Sequence, residues 1–204
     1  YRDLNAQPFD KIVSVGMFEH VGRSHLPKYF AQAYRLLRPG GLFLNHGIAR
    51  RAPVVHTAGG EAALCCDPPK RGPGPSAWQK VVNSRILGTG TFVWRYIFPD
   101  GELTPLSDVN VVAEAAGFEV RGVENLREHY ALTLRQWVRR LETRQAEAVK
   151  TVGEATYRTW RLYLAASWHS FDSGSISVNQ TLLAKLNKGQ SRVPLTRTDL
   201  YAPV

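Results

Sequence analysis

Three side chains in this 204-residue sequence stand where chemistry could use them. Glu19 lies in Phe18-Glu19-His20-Val21-Gly22, directly after an apolar run that reads as a strand. His46 closes a second apolar run and is followed by Gly47 and Ile48. Tyr130 sits in Arg127-Glu128-His129-Tyr130, ahead of a helix start expected at about Thr133. In an open α/β sheet, ligands collect beyond the carboxyl ends of the strands. If the two strands are neighbours, Glu19 and His46 face one crevice. A carboxylate and an imidazole converging there can hold a small anion or carry out acid–base work. A tyrosine hydroxyl near a helix N-terminus can donate to an anion. Each residue also has a plainer reading. Glu19 could satisfy free N–H groups at a helix start. His46 could be a core histidine bonded to backbone, and Tyr130 an amphipathic residue at a helix boundary. The pattern leaves both readings open.

The elements that would position these groups follow from hydrophobic spacing. Residues 11–17, KIVSVGM, are short, β-branched and mostly apolar, as expected of a buried parallel strand. In residues 28–37, Phe30, Ala33, Tyr34 and Leu37 recur at helical spacing on one face. Pro39-Gly40-Gly41 is read as the stop of that helix, and Leu42, Phe43 and Leu44 as the start of a second buried strand. Strand, helix, glycine turn and strand make a βαβ unit, and such units build parallel sheets. Further along, residues 106–116 read as a helix with Ser107 and Asp108 as start signals and Gly117 as the stop. Residues 118–126 read as a strand. Residues 132–171 read as one long helix or two in series, with Gly153 as the divider and two apolar stripes. One stripe is Leu134, Trp137, Val138 and Leu141; the other is Tyr157, Trp160, Leu164 and Trp168. Residues 175–186 read as a final strand. Residues 50–90 interrupt this order with Pro68, Pro69, Pro73 and Pro75 among glycines, a long loop by composition, with room for one short helix in 76–87. The expectation is one domain over residues 1–189 and a polar, frayed tail over 190–204.

Composition narrows the class. Twenty-six Lys and Arg against 17 Asp and Glu give a net charge of +9, and 44% of residues are apolar. That is enough apolar material for a core. No run approaches the ~20 apolar residues of a bilayer-spanning helix. Cys65 and Cys66 are adjacent and form no spaced framework, so nothing points to an oxidising compartment, and a cytoplasmic location is the default. With His56 they also lack the spacing of a zinc site, and no metal is expected. Neither G-x-G-x-x-G nor a Walker A motif occurs. The basic excess suits an ordinary soluble surface, an anionic membrane or nucleic acid. No nucleic-acid-binding signature accompanies it, so nucleic acid is not expected as a partner. Arg135, Arg139, Arg140 and Arg144 form a cationic helix flank that could be a solvated face or could meet lipid phosphates.

Four blocks in order carry a resemblance. VSVGMFEHVG at residues 13–22 and KYFAQAYRLLRPGGLFLNHGI at 28–48 are similar to the cyclopropane-fatty-acyl-phospholipid synthase family, which includes the mycolic acid cyclopropane synthases. RYIFPD at 95–100, with Gly101, resembles the family's Y-I-F-P segment, and HYALTLRQW at 129–137 its H-Y-x-x-T-L-x-x-W stretch. The resemblance implies an α/β fold, the C-terminal portion of a class I S-adenosylmethionine (SAM) methyltransferase with a Rossmann-like sheet. It implies transfer of the SAM methyl to the cis double bond of an unsaturated phospholipid acyl chain. A carbocation then loses a proton from the new methyl and closes a cyclopropane. A bound bicarbonate is the family's proposed base. Carried onto this sequence, its holders are Glu19, His46, the backbone of Ile48, and Tyr130. The 27-residue interval from Glu19 to His46 fits. Tyr1 and Arg2, with Asp3, match the acidic turn beside the adenine, and Phe18 lies toward the cofactor. Phe18, Phe43, Tyr96 and Phe98 are plausible apolar or cation-stabilising walls. The partners implied are phospholipids at an anionic surface, with the protein peripheral to the inner membrane face, and a homodimer is compatible. The family's glycine-rich SAM loop and an upstream cysteine have no counterpart in these residues. The chain therefore reads as the C-terminal part of a longer enzyme or as a truncated product, inactive alone, with an exposed apolar sheet edge. Residues 50–90 are longer than the family's usual path. Two other readings stay open: a methyltransferase that leaves a methyl branch, and a non-catalytic remnant that binds membranes or a partner.

Overall fold

The computed structural model describes residues 1–52, 92–99, 101–196 and 198. The helix expected in 76–87 and most of the 50–90 stretch lie outside the described residues. Strand β1 (Phe9–Val15) and strand β2 (Leu37–Arg50) run parallel, joined through helix α1 (Leu26–Leu36). The βαβ reading of the sequence corresponds to these three elements. After α2 (Phe92–Tyr96) and α3 (Leu106–Ala115) come β3 (Glu119–Asn125), the helices α4 (Arg127–Thr143), α5 (Gln145–Val152) and α6 (Glu154–Asp172), and β4 (Ile176–Ala184).

The strands form one sheet in the order β1-β2-β4-β3. It is not wholly parallel: β4 inserts between β2 and β3 and is antiparallel to both. Register assigns the two faces, because directly paired residues share a face. Phe43 pairs with Leu183, and Asn45 with Thr181; Ile12 and Ser14 join them from β1. Over this face lie α1 and α3. Leu26, Tyr29, Phe30, Ala33 and Leu36 fall on one stripe of α1 and are all buried. Phe30, Phe43, Phe118, Val109 and Leu183 close the main core. The second face carries Leu44 opposite Leu182, His46 opposite Gln180, and Ile48 opposite Val178. Helices α4 and α6 cover its Ile48–Val178 end, where Ala131, Leu134, Phe171 and Val178 form a second core. At the β1 edge, Val13 and Val15 are 64% and 67% exposed.

Several boundaries differ from the sequence reading. Helix α1 stops at Leu36, and Leu37 already pairs with Phe9; Pro39-Gly40-Gly41 forms a bulge before pairing resumes at Lys11–Leu42. Those residues therefore interrupt a strand instead of ending a helix. Helix α3 starts where expected, but Pro105 is its N-cap and Asp108 turns away to pair with Arg23 at 2.8 Å. Residues 127–172 hold three helices, separated at Arg144 and Gly153. Gly153 takes φ 82° and Gly117 φ 101°, left-handed conformations that suit glycine at these stops. Part of the tail is ordered: Asn187 bridges Gln190, and Arg192 lies against Gly40. No helix among the described residues is long and apolar enough to cross a membrane.

Candidate active site

Strand β1 delivers the chain into a short 3-10 turn, Phe18–His20, at its carboxyl end. Glu19 in that turn is 6% exposed. It does not cap the turn that carries it. Its Oε1 instead accepts the Ile48 N–H at 2.7 Å, from the neighbouring strand β2. Its Oε2 is buried and has no hydrogen-bond partner among the described residues. A buried carboxylate oxygen left unpaired is costly, so its position calls for a donor. Two contacts fix the turn. Glu102 donates its N–H to the Glu19 carbonyl at 2.8 Å, and its own Oε2 accepts the Arg23 N–H at 2.8 Å. Gly47 lets the turn approach β2: a Cβ there would overlap the Phe18 ring and stand 2.8 Å from Glu19 Oε2.

Tyr130 lies in the first turn of α4, half-buried, with its ring edge-on to Phe171 at 4.7 Å and to Trp137 at 6.2 Å. It packs against the same small core as Ile48. Burial, then the Tyr163 phenol and then the Glu19 carboxylate, push the Tyr130 hydroxyl above the ordinary tyrosine value. Tyr130 is therefore a protonated donor at neutral pH. Tyr163, from α6, is also pushed up by burial, partly offset by a hydrogen bond with Ser167. Its ring meets Phe98 at 5.9 Å, and Phe98 meets His20 at 5.2 Å.

The structure thus brings together Glu19, the Ile48 N–H and Tyr130, with His46 two residues before Ile48 on the same strand face. His46 makes no side-chain hydrogen bond among the described residues; its carbonyl accepts the Gly16 N–H at 2.9 Å. Phe18 is 3% exposed inside the main core and offers no polar atom; Phe43 lies deeper in that core. Tyr96 and Phe98 are both exposed, and only Phe98 touches the site's aromatic side chains, through Tyr163. Tyr1 packs edge-on to Tyr29 at 5.4 Å, and its hydroxyl is buried without a hydrogen-bond partner among the described residues; the Arg2 guanidinium stands 5.9 Å from the Tyr1 ring centre. The Tyr29 hydroxyl in turn hydrogen-bonds Ser14 Oγ at 2.7 Å and Asn45 Oδ1 at 3.0 Å, next to the strand ends that carry the site. Sequence reasoning missed Tyr163 and Glu102. Tyr163 follows Trp160 by three residues, a helical neighbour spacing that could have flagged it.

A mixed sheet with α1 and α3 on one face, and a buried acidic turn at a strand end, is the architecture of a SAM-dependent methyltransferase. Solved structures agree. The mycolic acid cyclopropane synthase CmaA1, complexed with SAH and CTAB, superposes with a TM-score of 0.71 at 29% identity over 90% of this chain and 58% of its own. The cyclopropane synthase MmaA2 from Mycobacterium tuberculosis gives 0.69 at 29% identity, over 88% of this chain and 56% of its own. The family model described as mycolic acid cyclopropane synthetase matches residues 1–181, and the chain belongs to that family. A "Probable fatty acid methyltransferase" of Pseudomonas putida is 40% identical over 98% of this chain and 45% of its own length. Another of that description from Mycobacterium tuberculosis is 34% identical over 96% of this chain and 39% of its own. The chain therefore spans about half the length, or less, of the curated relatives it matches.

Proposed function

We propose that these residues form the acceptor-side part of an enzyme that methylates the cis double bond of unsaturated phospholipid acyl chains and closes a cyclopropane. The observation that carries the reading is the Glu19 carboxylate, anchored by one oxygen to the Ile48 N–H and left with its second oxygen buried and unpartnered. When bound, SAM would supply an electrophilic sulfonium methyl for the acyl chain's double bond. Tyr1 and Arg2 are the residues that the family resemblance places beside that cofactor, and Phe18 supports the turn from the core. Bicarbonate also suits the donor set, and would supply a small base for the proton lost on ring closure. Glu19 Oε2 can accept its hydroxyl proton, and Tyr130, kept protonated, can donate to its charged oxygens, with His46 on the adjoining strand face. Phe98, Tyr163 and Phe171 wall this corner with aromatic surface. Such surface limits water and strengthens any charge interaction inside.

Glu19→Gln and Tyr130→Phe in the full-length protein test the assignment, with lipid products analysed by mass spectrometry and NMR. Both variants should lose cyclopropane by about 100-fold or more, as expected when a general acid–base group is removed. Unchanged cyclopropane formation in either would overturn the site. The description of the P. putida relative as a fatty acid methyltransferase favours a second reading, in which the product is a methyl branch; the wild-type product decides between the two. A full-length protein that neither binds SAM nor changes lipid would leave a non-catalytic remnant as the reading.

A further inference from the structure

Between α4, α5 and α6 the described residues leave an apolar groove of about 500 Å3. Buried Tyr157 and half-buried Leu141 line it. Trp137, Val152 and Trp160 stand at its edge with 43%, 50% and 44% of their surface exposed. Arg140 and Arg144 line the same groove with one carboxylate, Glu147, and neither arginine makes an ion pair among the described residues. From Arg135 to Arg161, seven Lys or Arg stand against three Glu. Arg158 and Arg161 have carboxylate partners, Glu154 and Glu142. Arg135, Arg139, Arg140, Arg144 and Lys150 have none among the described residues.

We infer that this helical face docks on an anionic phospholipid bilayer, with Trp137 and Trp160 at headgroup level and the arginines on lipid phosphates. Trp137, Val152 and Trp160 gather round one groove with cations beside them, and an apolar patch with a polar rim is the pattern of an interaction surface. Tryptophan is enriched at the water–bilayer boundary, where its ring is apolar and its N–H stays wet. Arginine lays its stem along apolar surface and holds its head in the polar layer. Arg140 and Arg144, four residues apart, share the groove side of α4 with Trp137, whereas Arg135 lies half a turn round the helix from Arg144. Cations and indoles on one side suit a plane of anionic headgroups, which offers charge and an apolar layer together. The face also adjoins the candidate site. Trp160 meets Tyr163 at 5.6 Å, Tyr163 meets Phe98, and Trp137 meets Tyr130 at 6.2 Å. The inference rests on the lipid reading proposed above and names the surface through which such a substrate is approached.

The test is binding of the full-length protein to vesicles of phosphatidylcholine alone and of phosphatidylcholine with phosphatidylglycerol. It is read by co-sedimentation and by quenching of tryptophan emission with brominated lipid. Wild-type protein should bind the anionic vesicles, more weakly as salt rises, with quenching. Arg140→Glu/Arg144→Glu should bind at least ~10-fold more weakly, from the free energy each basic residue gains near an anionic leaflet. Val152→Asp should reduce quenching. Arg121→Glu, on the β3 strand away from this face, should bind like wild type. Failure of wild-type protein to bind, equal binding by the charge-reversed pair, or equal loss in Arg121→Glu would overturn the inference. Transfer to detergent-dispersed unsaturated phospholipid is measured on the same proteins. A charge-reversed pair that keeps transfer there but loses it on vesicles supports docking. Wild-type protein that docks through this face yet transfers no methyl supports docking and removes the enzymatic reading.

Discussion

Replacing Gly47 by alanine probes how tightly the Glu19 turn is seated on β2. The new Cβ would overlap Phe18 Cε1 and lie 2.8 Å from both Phe18 Cδ1 and Glu19 Oε2. Comfortable carbon contacts fall near ~3.5–4.0 Å, so the Phe18 ring must retreat by more than an ångström. Phe18 has nowhere to go, being 3% exposed within the main core. Glu19 is tethered at both ends, by its carboxylate to Ile48 and by its carbonyl to Glu102. Overpacking of this kind costs about 1–3 kcal/mol, and two pinned neighbours place Gly47→Ala at the upper end, about 3 kcal/mol. For a chain of this length each kcal/mol moves Tm by ~2–4 °C, so thermal unfolding followed by circular dichroism should show a fall of about 6–12 °C. Phe18→Leu removes the ring that collides. The double variant should therefore be more stable than the sum of the two single effects allows. A Tm within about 1 °C of wild type for Gly47→Ala, or strict additivity with Phe18→Leu, would refute the close-packed turn.

Three further outcomes follow from buried polar contacts. Burial pushes the Tyr29 hydroxyl up to about 12, so the fold favours its protonated form; this stabilisation is complete below pH 10 and is lost as pH climbs through 12. About 2 pK units correspond to ~3 kcal/mol, which urea unfolding near pH 8 and pH 11.5 should show in part, with a flatter pH dependence in Tyr29→Phe. At pH 8 that variant should also cost about 1–3 kcal/mol, because the buried Ser14 hydroxyl and Asn45 Oδ1 lose their shared hydrogen-bond partner. Lys185 donates Nζ–H to the Tyr34 and Leu37 carbonyls at 2.9 and 2.8 Å and sits over the Tyr34 ring, closing the end of α1. Lys185→Met keeps the stem but removes the donors and should cost about 2 kcal/mol, or ~4–8 °C in Tm; no change would mean the carbonyls find water instead. Because Tyr130 is raised above the usual tyrosine range, its donor survives to alkaline pH. Any loss of activity from its ionisation should fall above about pH 10, and a limb below that which disappears in Tyr130→Phe would contradict the assignment.

The βαβ core was legible because its signals are local. Ile12-Val13-Ser14-Val15 is a β-branched run, and α1 buries one stripe at i, i+3 and i+4 spacing. The boundary between α1 and β2 was not legible for an equally physical reason. Pro39-Gly40-Gly41 marks a turn, but only Phe9, far earlier in the chain, decides that Leu37 is already paired. The direction of β4 is likewise non-local: residues 176–184 read as a strand, and the helices before them determine that it enters antiparallel. The break at Arg144 had no glycine or proline to announce it, whereas the one at Gly153 did.

Glu19, His46 and Tyr130 could be picked out because strand ends and helix starts are where α/β folds expose chemistry. What joins them is backbone and shape, which residue types do not spell. The partner of Glu19 is the N–H of Ile48, a backbone group that the family resemblance had assigned to bicarbonate and not to Glu19. The space for the carboxylate is the missing side chain of Gly47. Alternation along β2 then settles how the parts can cooperate. His46 and Ile48 present their side chains to the face covered by α4 and α6, the face on which Tyr130 packs. Gly47 and Asn45 present to the face of α1, where Tyr29 binds Asn45. The Glu19 turn crosses the sheet's end between the two layers and takes the Ile48 N–H there. A carboxylate placed at that seam can share a ligand with a tyrosine from the second layer while its backbone stays locked to the first. Moving β2 by one residue would exchange the faces and dissolve the site even if every side chain were kept.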